Sequence, residues 1–69
     1  MKYIELNAFL KVKGIASTGG EAKNLIRNDQ IKVNNVIETR NKKKLIKDDI
    51  VNYNNQDYVV EEKLLLKEK

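Results

Sequence analysis

Cysteine, histidine, proline and tryptophan are all missing from this 69-residue chain. Without Cys and His there is no disulfide, no thiolate nucleophile, no zinc finger, no iron–sulfur ligation and no imidazole acid–base chemistry. Small proteins commonly rely on such staples, because a chain of this size buries only about 60% of its unfolded surface. No apolar run reaches the length of a membrane span, and no signal-peptide pattern opens the sequence. The expectation is one domain over residues 1–69, soluble and cytoplasmic, with no membrane partner.

Catalysis has little to work with. A general base would have to be Asp, Glu, Lys or Tyr with a displaced pKa. Asp48-Asp49 and Glu61-Glu62 are the adjacent carboxylates. Neighbours along a strand point to opposite faces, so neither pair converges on a substrate, and Asp48-Asp49 reads as a turn. No Walker loop or Rossmann fingerprint occurs. The chain offers no catalytic residue, no metal or cofactor site, and too little bulk for a small-molecule substrate pocket. It is expected not to be an enzyme.

Positive charge is what the chain does have, and it is uneven. The whole carries 14 Lys and Arg against 10 Asp and Glu, a net of +4. Between Lys23 and Lys47 stand eight bases and two acids, a net of +6, which leaves −2 for the remainder. A basic middle creates a directional field whose usual partners are polyanions. On charge alone a solvated Lys-rich surface fits equally well.

Apolar spacing divides the chain in two. Lys2 to Glu5 reads as a short extended piece; Leu6, Phe9 and Leu10 then fall at i, i+3, i+4, one face of a helix that stops at Gly14. Lys11 and Lys13 are expected toward solvent. Thr18-Gly19-Gly20-Glu21 fits a capping box, with the Glu21 carboxylate reaching back to the cap. It opens a second helix whose stripe is Ala22, Leu25 and Ile26, ended by Asn28-Asp29. After Gln30 the period becomes two. Asn34-Asn35 and Asn54-Asn55 mark two hairpins, and Tyr53 and Tyr58 are expected to pair across the second. Thr39 to Lys44 reads as a loop or an irregular strand. Glu61 to Lys69 fits a last strand, a short helix or a tail. Helices followed by strands argue for an α+β fold, with two short N-terminal helices packed on one face of a small antiparallel sheet.

Two basic features could hold a ligand. Gly19-Gly20 heads the second helix, where free amides and the helix dipole favour an anion, and Lys23 and Arg27 follow on one face. Close helix–helix packing would explain the same glycines. Arg40, Lys42, Lys43 and Lys44 form the densest run, with Lys32 on a neighbouring strand. Tyr3, Phe9, Tyr53 and Tyr58 are the aromatics, and none lies inside the basic region. Base-stacking platforms need aromatics there, so a folded, duplex-like backbone is the better fit.

The stretch from Ser17 to Asn35 resembles the S4 RNA-binding domain, whose helix pair and hairpin form the alpha-L motif. Ala22, Leu25, Ile26, Ile31, Val33 and Asn34 carry the match, which continues through Glu38-Thr39-Arg40 and Lys44-Leu45 to Asp49-Ile50-Val51. It covers roughly residues 6–60 and looks most like the small stand-alone bacterial members. Gly19 stands where many members have Arg. Asp29, Asn35 and Asp48 stand where the family has turn glycines, which places them in left-handed conformations that Asn and Asp tolerate.

The resemblance implies binding of structured RNA, often ribosomal RNA. By position it assigns contacts to Lys23, Arg27, Lys32, Arg40, Lys42 and Lys43, with Lys44 and the Gly19-Gly20 backbone beside them. The expected partner is therefore structured RNA, ribosomal or a ribosome-assembly intermediate. Two other readings stay open. Leu64-Leu65-Leu66 and open sheet edges would suit a protein-interaction adaptor, and the charge would also suit a DNA-associated protein.

Overall fold

The computed structural model describes residues 2–68. Strand β1 (Lys2–Glu5) runs directly into helix α1 (Leu6–Val12), which buries Leu6, Phe9 and Leu10. Gly14 ends α1 at φ +74°. Its amide donates to Lys11 O at 3.1 Å and the Ile15 amide to Leu10 O at 2.9 Å, the paired bonds of a Schellman stop. Lys11 is exposed as expected, whereas Lys13 is half-buried and stacks its ammonium over the Phe9 ring.

Helix α2 (Gly19–Arg27) starts at Thr18, whose Oγ1 accepts from the Glu21 amide at 3.1 Å. The reciprocal half of the cap differs from the expected box. The Glu21 carboxylate accepts from the Ser17 amide at 3.3 Å, one residue before the cap. Ala22 and Ile26 are buried against α1, with Leu25 packed beside them. Asp29 ends the helix at φ +60°, and the Gln30 amide returns to Leu25 O at 3.1 Å.

Strands β2 (Ile31–Val33), β3 (Val36–Ile37), β5 (Ile50–Tyr53) and β6 (Gln56–Val59) form an antiparallel sheet in the order β3-β2-β5-β6. Both hairpins close on Asn-Asn with φ positive at each central residue, +51° and +69° at Asn34-Asn35, +55° and +64° at Asn54-Asn55. That is the type I′ geometry whose twist suits flanking strands. Register places Tyr53 opposite Gln56 and Tyr58 opposite Val51, so the two tyrosines are diagonal neighbours rather than a facing pair.

A second sheet was not foreseen. Strand β1 pairs with β4 (Lys44–Leu45) on one side and with β7 (Lys67–Glu68) on the other, in the order β4-β1-β7. Loop 38–43 lifts the chain off β3 and delivers it to α1, where Lys43 O accepts from the Leu6 amide at 2.8 Å and Asn41 O from the Asn7 amide at 3.0 Å. The architecture is α+β, with two helices and two antiparallel sheets.

One core serves all of it: Ile4 and Leu45 from the second sheet, Phe9 and Leu10 from α1, Ile26 from α2, and Ile31, Val33 and Val51 from the first sheet. The C-terminal stretch folds as a 3-10 turn (Glu62–Leu64) followed by β7. Leu64 and Leu65 pack against the core, and Leu66 is 78% exposed.

Candidate nucleic-acid interface

Burying Ala22 and Ile26 turns the opposite side of α2 outward. Lys23 and Arg27, one turn apart, are both exposed there. At the head of the helix, Thr18 Oγ1 takes the Glu21 amide and Thr18 O takes the Ala22 amide at 3.0 Å. The Gly19 and Gly20 amides therefore precede the first bonded turn. A Cβ at Gly19 would meet nothing within 4 Å, and one at Gly20 only Thr18 Oγ1 at 4.0 Å. Close helix–helix packing thus does not account for these glycines.

Four residues after Arg27 the chain enters β2, through the Asp29 turn. Ile31 and Val33 point inward, so the alternation turns Lys32 to the outer face. There it lies opposite Ile37 on one side and Asn52 on the other. The Glu38 amide donates to Ile31 O at 3.0 Å, which fixes the start of loop 38–43 beside the first residue of β2.

Within that loop, Arg40 is the exception among the sequence-assigned cations. Its Nε donates to Glu38 Oε2 at 2.9 Å and its Nη2 to Glu38 Oε1 at 3.1 Å, while its amide donates to Oε2 at 3.0 Å. The Arg40 side-chain bonds are the main cause holding the Glu38 carboxyl below the usual glutamate range; partial burial opposes them, and the Lys43 charge adds to them. Lys42 and Lys44 are exposed and Lys43 is half-buried. The Lys44 ammonium lies 5.2 Å from the centre of the Tyr3 ring.

Ion pairs sort the cations into two sets. Lys13, Lys47, Lys63 and Lys67 are paired, with Glu61, Glu62, Glu61 and Glu5 respectively. Among the described residues, Lys23, Arg27, Lys32, Lys42, Lys43 and Lys44 have no ion-pair partner, and neither do Lys2 and Lys11 outside the assigned set. Glu61 and Glu62 therefore pair with lysines outside the sequence-assigned set, and within that set Arg40 alone is paired among the described residues. Sequence reasoning missed the Glu38–Arg40 pair. The signal was present, a carboxylate two residues before an arginine, but it needed the loop geometry to become a fork.

A helix pair joined to a hairpin, with exposed cations on α2, on β2 and in the loop that follows, makes up a small α+β module. The chain belongs to the S4 domain family, whose model matches residues 1–61. That family is one of RNA-binding, non-catalytic modules. No curated protein matches the sequence significantly. Among the described residues, no helix is long and apolar enough to cross a membrane.

Proposed function

We propose that this protein binds structured RNA, ribosomal RNA or a ribosome-assembly intermediate, in the cytoplasm, by gripping its phosphate backbone. Lys23 and Arg27 contact phosphates from α2, and the Gly19-Gly20 backbone lets one approach the helix head. Lys32, Lys42, Lys43 and Lys44 hold a neighbouring stretch from the sheet face and the loop. The observation that carries this reading is the distribution of ion pairs: among the described residues six of the seven assigned cations have no ion-pair partner, while Lys13, Lys47, Lys63 and Lys67 share the carboxylates of Glu61, Glu62 and Glu5. Family membership over residues 1–61 supports RNA as the polyanion. The scarcity of aromatics supports backbone and shape recognition over stacking.

Crosslinking in cells followed by sequencing of the attached RNA tests it. Enrichment of structured ribosomal segments is the expected result; recovery of messenger or transfer RNA would replace the assigned target. In vitro, duplex RNA should bind more tightly than duplex DNA of the same sequence, because only RNA offers A-form shape and 2′-hydroxyls. Equal binding would remove RNA specificity.

A further inference from the structure

We propose that Arg40 reads the N7 and O6 edge of an unpaired guanine, and that Glu38 is the residue that positions it. The proposal rests on the RNA-binding reading above and adds a base-specific contact to it.

The fork supplies the geometry. Glu38 occupies the Nε–Nη2 side of the guanidinium, at 2.9 and 3.1 Å. Both Nη1 hydrogens and the outer Nη2 hydrogen remain. One from each nitrogen lie parallel, forming a second donor pair in a fixed plane. Glu38 is a firm strut for it. Its side chain is 13% exposed against 69% for Arg40. Its own amide is bonded to Ile31 O, and its Oε2 also takes the Arg40 amide.

Charge decides what the free edge suits. Two adjacent acceptors would fit it: phosphate oxygens, the N7 and O6 of guanine, or the O2 and N3 of an unpaired cytosine, which the selection below separates from guanine by the base it enriches. The Glu38 carboxylate at 2.9 Å weakens Arg40's pull on an anion. It leaves the direction of the remaining N–H groups intact, and a neutral acceptor pair needs only direction. Adenine sets a donor beside its N7, and uracil offers a single acceptor, so neither satisfies both hydrogens. Lys42, Lys43 and Lys44 in the adjoining loop and strand supply phosphate attraction without Arg40. The guanine must be unpaired, in a bulge, loop or end, because the major groove of an RNA helix is too deep and narrow for a side chain to read.

The test uses the full chain and a pool of RNA hairpins with a randomised loop, selected for binding. The expected result is enrichment of a guanine at a fixed unpaired position. Replacing that guanine with 7-deazaguanine, or Arg40 with Lys, should weaken binding about tenfold or more. Arg40→Lys keeps the charge and loses the planar fork, and a melting curve confirms that it folds. Replacing both Glu38 and Arg40 with Gln should leave the salt dependence unchanged, since the pair removed is neutral as a whole. Glu38→Gln keeps an acceptor for the Arg40 amide but frees the charge. It should steepen the salt dependence by about one phosphate equivalent while the guanine preference falls. Selected RNAs with no fixed guanine, or indifference to 7-deazaguanine, would overturn the base reading and leave RNA binding standing. Full discrimination in Glu38→Gln would remove Glu38 as the positioning residue. No enrichment of any RNA would overturn the function itself.

Discussion

Asn34 Nδ2 donates to Asp49 Oδ1 at 3.1 Å, joining the tip of the first hairpin to the turn that enters β5. The same Asn34 accepts from the Ile50 amide through Oδ1 at 2.9 Å and donates its own amide to Ile50 O at 2.8 Å. Asp49 Oδ2 takes the Ile46 amide at 2.9 Å. One asparagine thus sets a left-handed turn and ties it to a neighbouring strand. Asn34→Ala should lose about 2 kcal/mol, from two side-chain hydrogen bonds and the strain of alanine at positive φ. Asn34→Gly should lose about half as much, because only the bonds go. Urea denaturation of both variants measures the difference.

Asp48 lies at φ +73°, a conformation that glycine adopts without strain. Its conformation, not its charge, is what the turn requires. Asp48→Gly should melt at or slightly above the parent, and Asp48→Ala should lose about 1 kcal/mol. Equal loss in both would show that the aspartate side chain itself holds the turn.

The Glu38 carboxyl is held below its ordinary range, chiefly by the side-chain bonds from Arg40, with the Arg40 amide, the Arg40 charge and the Lys43 charge reinforcing them. A group whose folded pKa is depressed stabilises the fold above its unfolded pKa and loses that contribution as pH falls through the folded one. The stability difference between parent and Glu38→Gln should therefore be full at neutral pH. It should shrink from the ordinary glutamate range downward and vanish in stronger acid. Thermal melts of both proteins across that range follow it.

The C-terminal leucines read in sequence as a docking element, yet Leu64 and Leu65 pack on the core and β7 pairs with β1. Deleting residues 62–69 should lower the melting temperature by several degrees at least, since each kcal/mol shifts a domain of this size by about 4–8 °C. An unchanged melting temperature would return this segment to the role of a free interaction tail.

What the sequence made legible followed from strong local signals. Leu6, Phe9 and Leu10 announced α1 by spacing, Thr18 announced α2 by its cap, and the two Asn-Asn pairs announced the hairpins. Asp29, Asn35 and Asp48 fell in left-handed conformations as the resemblance implied. The second sheet was invisible because β4 and β7 have two residues each, too few to show any period, and both depend on β1 from the far end of the chain. The basic positions were legible as a set. Their division into paired and unpaired cations was not, because Glu61 and Glu62 meet Lys13 and Lys47 only through tertiary folding.

That division is the quantity to measure. RNA recovered from cells by crosslinking should be titrated at several salt concentrations with two double variants of identical charge change. Lys23→Glu with Lys43→Glu reverses two unpaired cations; Lys47→Glu with Lys63→Glu reverses two paired ones. The first should lose at least about tenfold more affinity and flatten the salt dependence by about two phosphate equivalents, with the second keeping the parent's slope. Equal weakening by both would mean that net charge alone binds the RNA and that the unpaired cations form no site.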